Sequence, residues 1–330
     1  MKLFEKLNSK NIDFNNRIIM PPMATAKADA RGHVSQDILD YYNEKTKDKI
    51  FSTVIVEHNF VDPLGKASHN QMSIIDDSTI DGLKKLAKTI KDNGSNAIGQ
   101  ISHAGSSASE DIIGESPLAP SSVKNPSKKD AELPRELTIV QINEIEDKFA
   151  DAALRVKKAG FDGVEIHSAH GYFLDQFLSP LTNKRSDEYG KDIDGRIKIH
   201  LEIIKKVREK VGENYPIFLR LGAGDNMDGG LSQEDSVYAA KALEKAGIDV
   251  LDISGGMCMY FTDNQYAGFF DYLSKPIYDA VDIPVILTGG VKTGKDIEEI
   301  LNRDVCDLVG VGRAVFKDSK WIEEEVKPLI

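Results

Sequence analysis

Two imidazoles and a phenol follow one short apolar run of this chain. His167, His170 and Tyr172 come directly after residues 163–166, and an amphipathic helical pattern ends at Gly160 just before that run. The pattern predicts that the three side chains lie where the strand of a βα unit ends, the edge that binds ligands in parallel α/β proteins. Three interpretations are open here: a zinc-binding pair, two hydrogen-bonded core histidines, or two N–H donors for a substrate oxygen.

A second set of residues has the chemistry of a phosphate site. The segments 288–290 and 312–313 each follow a predicted strand, and their glycines expose backbone N–H groups. Arg313 adds a planar, permanently charged group that can hold two phosphate oxygens. The other interpretation is that Gly290 and Gly312 form tight turns only.

A metal site is poorly supported. The other histidines are scattered along the chain and no HExxH motif occurs, so the pair lacks a third zinc ligand nearby. Cys258 and Cys306 are far apart and outside any CxxC motif, which argues against an iron–sulfur cluster and a disulfide framework and fits a reducing cytoplasm. We therefore expect no metal.

The elements that would position these residues recur as eight short apolar runs with helical patterns between them. The runs show no polar alternation, which predicts strands buried on both faces. The runs are Arg17–Met20, Thr53–Glu57, Ala97–Ile101, Gly163–His167, Ile217–Arg220, Val250–Ile253, Val285–Thr288 and Leu308–Val311. Helical patterns cover 80–93, 139–159, 197–211, 234–246 and 294–301. Eight βα units in 330 residues predict an α/β protein with the TIM-barrel fold.

A doubly wound sheet is the main alternative architecture, but it would normally carry a GxGxxG motif after its first strand. The first strand runs into Pro21-Pro22-Met23, and no GxGxxG occurs in the chain. The segment 106–137, after the third strand, has neither a helical nor a strand period. We expect a long loop insertion there, as a lid or subunit contact, within a single domain that spans residues 1–330.

The composition narrows the choice of partners. The chain is 41% hydrophobic and 29% charged, with a net charge of −11. An acidic surface argues against nucleic acid and anionic membranes as partners. No apolar run approaches the roughly 18 residues needed to span a bilayer. We expect a cytoplasmic enzyme with a small-molecule substrate, and a homo-oligomer is compatible with the sequence.

Several of these segments together resemble the Old Yellow Enzyme family of FMN-dependent NAD(P)H oxidoreductases, and its bacterial branch more than the yeast one. The resemblance covers nearly the whole chain. The segments that carry it are residues 16–23, 99–105, 159–172, 177–180, 185–190 and 310–313.

The resemblance implies a role for each candidate residue. The flavin ring would lie against Pro21, Pro22, Met23, Ala24 and His58. Gln100 would bind its pyrimidine edge, Arg220 would lie near N1 and O2, and the phosphate would occupy the site of Gly290, Gly312 and Arg313. His167 and His170 match the pair that holds the substrate oxygen, and Tyr172 matches the proton donor.

The reaction expected from this resemblance is reduction of an activated alkene. NADH or NADPH would reduce FMN, which would pass hydride to the β-carbon of an α,β-unsaturated carbonyl compound. The alternatives are an FMN oxidoreductase whose acceptor is a quinone, nitro compound, oxygen or free flavin, and a non-redox lyase or isomerase that binds a phosphorylated metabolite. Longer relatives carry a cysteine-rich cluster and a second flavin domain that this sequence lacks, so we expect electrons directly from the nicotinamide.

Two positions depart from the family pattern. Ala24 stands where the family places a Thr or Cys over the flavin C4 oxygen, and its side chain cannot donate a hydrogen bond. Ala26 stands where close bacterial relatives have a substrate-contacting Tyr. The second change predicts a wider pocket on that side.

Overall fold

The computed structural model describes residues 1–330 and contains a closed barrel of eight parallel strands. Each strand pairs with its neighbours in chain order, and the last pairs with the first. The strands are β1 (Ile18–Met20), β2 (Thr53–Phe60), β3 (Asn96–Ser102), β4 (Gly163–Ser168), β5 (Ile217–Gly222), β6 (Val250–Ser254), β7 (Val285–Thr288) and β8 (Leu308–Gly310). Each predicted run coincides with one barrel strand, and the predicted TIM-barrel fold is confirmed.

Helices surround the barrel. They are α1 (Gln36–Thr46), α2 (Ile80–Asp92), α3 (Ile139–Lys158), α4 (Ile193–Val211), α5 (Gln233–Ala246), α6 (Asp271–Tyr278), α7 (Gly294–Asn302) and α8 (Arg313–Lys317). The five predicted helices are present, although α4 begins earlier than predicted, where Asp192 caps its N-terminus. The sequence patterns did not reveal α1, whose mean hydropathy is low, or α6, which contains Pro276.

The barrel interior explains why polar residues collect at one end. Its lower part is filled by an apolar layer that includes Ile98, Phe218 and Val250. Side chains of a strand alternate between its two faces, so the residues two positions further on also face the interior. Those residues are Gln100, Arg220 and Asp252. The apolar layer therefore closes one end of the barrel, and the carboxyl ends of the strands present polar groups.

The insertion after β3 is less irregular than predicted. It contains a short helix, Glu110–Ile113, and a pair of two-residue strands, Leu118–Ala119 and Arg135–Glu136. Elements this short leave no period in the sequence. The other short elements include the helix Phe173–Leu178, the hairpin of Leu7–Asn8 with Asp13–Phe14, and the final turns Ile322–Val326 and Lys327–Leu329. Single helical turns cover Lys2–Phe4, Pro63–Gly65, Asp77–Thr79 and Gly105–Ser107. No helix combines the length and apolar character needed to cross a bilayer.

Candidate active site

One large cleft of about 850 Å³ opens at the carboxyl ends of the barrel strands. This volume lies within the range of about 300–1,000 Å³ that is usual for small-molecule sites. Every residue named from the sequence as catalytic or cofactor-binding lines this cleft. They are Pro21, Pro22, Met23, Ala24, His58, Gln100, His167, His170, Tyr172, Arg220, Gly290, Gly312 and Arg313.

His167, His170 and Tyr172 form one aromatic cluster. The ring centroid of His167 lies 5.3 Å from that of His170 and 5.1 Å from that of Tyr172. Nε2 of His170 is hydrogen-bonded to Oγ of Ser254 at 2.7 Å. Nδ1 of His167 is buried and has no hydrogen-bond partner. The cluster therefore keeps unpaired hydrogen-bonding capacity beside the cleft, which a purely structural pair of histidines would not do.

The backbone of the turn that carries these residues is held in an unusual conformation. His170 and Gly171 have φ values of 61° and 67°, in the left-handed region that non-glycine residues seldom occupy. The carbonyl of Gly171 accepts hydrogen bonds from Ser107, Asn125 and Gln176 at 2.7–2.9 Å. These contacts stabilise a strained turn that sets the direction of the His170 side chain.

The Gly171 amide contributes another anchor, because it donates a hydrogen bond to Oδ2 of Asp175 at 2.7 Å. Two of the groups that hold this turn, Ser107 and Asn125, belong to the insertion after β3. Within the chain the insertion therefore supports the turn that carries His170 and Tyr172, a role that the sequence did not predict.

Burial sets the protonation of the cluster. It lowers the pKa of His167 and of His170 well below the usual value for histidine, and the positive charge of Arg220 acts in the same direction. Burial raises the pKa of Tyr172 to about 12, with a smaller contribution from Tyr260. At neutral pH the site thus presents two neutral imidazoles and a protonated phenol, which are hydrogen-bond donors without a net charge.

Arg220 is a buried cation with hydrogen-bonding capacity that the protein does not use. The residue is only 5% exposed, yet its guanidinium donates no hydrogen bond to the protein. Its Nε lies 3.3 Å from Oδ2 of Asp252, close enough for an ion pair but not aligned for a hydrogen bond. A buried guanidinium N–H without an acceptor is costly unless a ligand accepts from it.

Gln100 and Glu165 pair on the floor of the cleft next to this arginine. Nε2 of Gln100 donates to Oε1 of Glu165 at 2.7 Å, which orients the amide and leaves its Oε1 without a protein partner. Burial raises the pKa of Glu165, and the neighbouring Asp252 carboxyl raises it further. Asp252 itself is wholly buried, and burial raises its pKa as well. Two carboxyls thus share the charge of one guanidinium.

The wall formed by residues 21–24 is apolar and is anchored from behind. Buried Glu57 accepts hydrogen bonds from the Thr25 amide at 2.9 Å and from the Thr25 hydroxyl at 2.6 Å. Glu57 therefore anchors the segment that follows this wall. The wall presents flat, apolar surface with no side-chain hydrogen-bond donor.

The far end of the cleft collects positive charge. Gly290 has a φ of 71°, and a Cβ there would meet the Tyr266 carbonyl oxygen at 2.4 Å, so no larger residue fits. Arg313 lines the cleft beside it and forms no ion pair. Lys292 and Lys317, which were not among the residues predicted from the sequence, line the same end of the cleft. In a protein of net charge −11, this group of cations favours an anionic ligand such as phosphate.

Other cleft residues were also missed or left open. Tyr260, Phe269 and Phe270 line the cleft, whereas Phe261 does not and is 62% exposed. These aromatic residues lie in the long loop after β6, where no helical or strand period in the sequence indicates which way a side chain points. Ser254 is the last residue of β6, and its position at a strand end was the only available signal.

Comparisons with known proteins agree with this geometry. The sequence matches the profile of the NADH:flavin oxidoreductase / NADH oxidase family over residues 2–327. It is 40% identical over 326 residues to NADH oxidase of Thermoanaerobacter brockii, an alignment that covers 97% of this chain and 50% of that protein. It is 36% identical over 320 residues to metal reductase of Desulforamulus reducens, covering 96% of this chain and 47% of that protein. The chain therefore spans about half the length of these two relatives.

Two solved structures have the same fold. A 2-naphthoyl-CoA reductase in complex with 2-naphthoyl-CoA superposes with a TM-score of 0.91 at 27% identity, over 97% of this chain and 51% of that chain. An Old Yellow Enzyme homologue from Zymomonas mobilis superposes with a TM-score of 0.85 at 24% identity, over 98% of this chain and 93% of that chain.

Proposed function

Because the chain belongs to the NADH:flavin oxidoreductase / NADH oxidase family, which includes the Old Yellow Enzymes, we propose that it is an FMN-dependent NAD(P)H oxidoreductase that reduces activated alkenes. The resemblance inferred from its motifs is confirmed at the level of the family, and with it FMN as the family's cofactor and NADH as a reductant. The substrate and the role of each residue are part of the proposal.

The cleft has the groups that FMN requires. Arg220 and the free Oε1 of Gln100 would bind the polar edge of the ring, and the apolar wall at residues 21–24 would cover a ring face. The cations Lys292, Arg313 and Lys317 would hold the phosphate near Gly290. When bound, FMN supplies hydride transfer from a nicotinamide to an electron-poor acceptor.

The protein's own contribution to the chemistry is a pair of donors and an acid. As a carbonyl substrate accepts hydride at its β-carbon, negative charge develops on its oxygen, and the imidazoles of His167 and His170 can each donate to that oxygen. Tyr172, kept protonated by burial, can then donate its proton to the α-carbon. Ser254, bonded to Nε2 of His170, would fix the orientation of that ring.

One observation carries the proposal: Nδ1 of His167 and Nε of Arg220 are both buried without a hydrogen-bond partner in the protein, and both residues line the same cleft. Unpaired polar groups of this kind are rare in native interiors and mark places where a ligand completes the hydrogen bonding. Here, His167 and Arg220 lie opposite each other on the paired strands β4 and β5, in a cleft that is large enough for a cofactor and a substrate together.

A second candidate keeps FMN but changes the acceptor. The relatives at 40% and 36% identity are named for oxidation of NADH and for reduction of metal, not for alkene reduction. An enzyme of this type would pass electrons to oxygen, a quinone or another acceptor, and alkene reduction would be incidental. The non-redox lyase or isomerase has no such support.

The purified protein distinguishes these functions. We expect it to bind FMN with the visible absorbance of a flavoprotein, to be reduced anaerobically by NADH or NADPH, and to turn over 2-cyclohexenone faster than quinones or oxygen. Faster turnover of quinones or oxygen would favour the second candidate. A protein that stays colourless after incubation with FMN would contradict both.

A further inference from the structure

His58 differs from the other imidazoles of the cleft in what lies behind it. It is in β2, between Glu57, which anchors Thr25, and Asn59, whose side chain donates to the Gln100 carbonyl at 2.9 Å. Its ring centroid lies 5.5 Å from that of Tyr172. The two neighbours of His58 thus contact Thr25, next to the apolar wall, and Gln100, while the His58 ring itself lies beside Tyr172.

The hydrogen bonds behind His58 determine which ring nitrogen carries its proton. The Ala67 amide donates to Oε1 of Gln71 at 2.7 Å, which fixes the orientation of the Gln71 amide. Its other end, Nε2, must then be the group that lies 3.1 Å from Nδ1 of His58. An NH2 group can only donate, so Nδ1 of a neutral His58 is the acceptor and Nε2 carries the hydrogen. The Ser102 hydroxyl lies 3.3 Å from the same Nδ1 and can donate to it as well. Gln71 is itself buried and held in place.

The protonated Nε2 is left free to bind a ligand. It makes no hydrogen bond within the protein, and the residue lines the cleft. Burial lowers the pKa of His58 to about 4, so the ring is neutral at physiological pH and adds no charge beside Arg220. Among the side chains that face the cleft from β1, from the 21–24 wall and from β2, only His58 is a hydrogen-bond donor.

We propose that His58 donates a hydrogen bond from Nε2 to a carbonyl oxygen of the flavin ring, and that Gln71 is the positioning residue that keeps this nitrogen protonated. The inference rests on the proposed function, since it requires FMN in the cleft. The substrate oxygen already has two imidazole donors on β4 and its turn, whereas the ring edge beside the 21–24 wall has no other side-chain donor.

Titration of the apoprotein with FMN tests this assignment. Loss of one hydrogen bond to a bound ligand corresponds to about a ten-fold weaker affinity. We expect His58→Leu to bind FMN about ten-fold more weakly and to shift the flavin midpoint potential to a more negative value, because the donor stabilises electron density on the carbonyl. His58→Gln, which retains a donor, should keep the FMN affinity and the midpoint potential close to those of the parent. The exposed His69→Leu is the matched control and should change neither.

The tautomer is measured directly by nitrogen NMR of the FMN-loaded protein labelled at histidine. We expect Nδ1 of His58 to show the shift of an unprotonated nitrogen and Nε2 that of a protonated one. Gln71→Met should reduce this preference and weaken FMN binding, because the Ser102 hydroxyl that then remains beside Nδ1 can accept a hydrogen bond as well as donate one.

Two results would overturn the inference: a proton on Nδ1 in the native protein, or FMN affinity and potential in folded His58→Leu that equal those of the parent. A loss confined to enone binding would place His58 on the substrate and would also contradict it. Failure of the native protein to bind FMN would instead refute the proposed function itself.

Discussion

At the scale of single residues, the site shows how local partners give one residue type different tasks. His58, His167 and His170 all lose basicity through burial, so none of them adds charge to the cleft. Gln71 contacts Nδ1 of His58, Nδ1 of His167 has no partner, and Ser254 is hydrogen-bonded to Nε2 of His170. The spacing of histidines in the sequence identified the pair, but the tautomers depend on residues that are distant in the chain.

Tyr172 provides the residue-scale test of the proton donor. Tyr172→Phe removes the phenol proton and keeps the ring, so reduction of 2-cyclohexenone should fall by about 10²- to 10⁴-fold, the range for loss of a general acid. Reduction of a quinone, whose oxygens take protons from water, should be nearly unchanged. Steady-state rates with the two acceptors measure the difference.

Tyr260→Phe is the control for this experiment, because Tyr260 also lines the cleft but is 46% exposed. It should reduce both acceptors at close to the parent rate. Equal losses with enone and quinone in Tyr172→Phe would show that the phenol supports the cleft rather than supplying the proton.

At the scale of elements, the insertion after β3 and the turn after β4 act together. Asn125 donates to the Gly171 carbonyl and to the hydroxyl of Ser107, and all of these groups are buried. A Cβ on Gly171 would meet Oγ of Ser127 at 2.4 Å, so the insertion also leaves no space for a side chain there. The geometry of the turn that carries His170 therefore depends on a segment that the sequence predicted as a loop insertion forming a lid or subunit contact.

Asn125→Ala tests that dependence. It removes buried hydrogen bonds, so the free energy of unfolding should fall by about 1–3 kcal/mol. The turn should also loosen, and kcat/KM for the enone should fall while the affinity for FMN changes little. Urea denaturation and steady-state kinetics measure the two effects. Asn143→Ala, on the exposed surface of α3, is the control and should match the parent in both measurements. An Asn125→Ala protein that is as stable as Asn143→Ala, and as active with the enone, would refute the coupling.

At the scale of the whole molecule, the centre of the barrel contains two buried carboxyl groups and only one buried guanidinium beside them. Arg220 is surrounded by Asp252 and Glu165, both wholly buried, and the pKa of Glu165 is raised by burial and by Asp252. A carboxyl whose pKa is raised in the folded state contributes its full stability below its unfolded pKa of about 4.3. That contribution is lost as the pH rises through the pKa of the carboxyl in the folded protein.

Glu165→Gln should therefore alter the pH dependence of stability in a defined direction. The amide cannot ionise, so its unfolding free energy relative to the parent should increase from pH 5 to pH 9, by at most about 1.4 kcal/mol per pH unit. Denaturant unfolding at a fixed FMN concentration measures this difference. The exposed Glu299→Gln should show no such trend, and a constant offset for Glu165→Gln would contradict a raised pKa.

Much of this organisation could be predicted from the sequence. Strands buried on both faces leave unbroken apolar runs, which is why all eight were located. Because parallel strands bring their carboxyl ends together, Gln100, His167 and Arg220 could be placed in one cleft before the fold was known. Lys292 and Gln71 were missed because they lie in loops, and Lys317 because it ends a five-residue helix; in neither case does a period or a strand end indicate direction. The length of the insertion was evident, but its hydrogen bonds to the turn were not.

The central claim is that His167 and His170 hold the oxygen of an enone substrate. The direct test is to reduce the FMN-loaded protein anaerobically with dithionite and to follow its reoxidation after mixing with 2-cyclohexenone or with oxygen. We predict that His167→Ala slows reoxidation by the enone at least about ten-fold, the loss of one donor to a developing oxyanion, and leaves reoxidation by oxygen unchanged. Enone reoxidation at the parent rate in His167→Ala would contradict the claim.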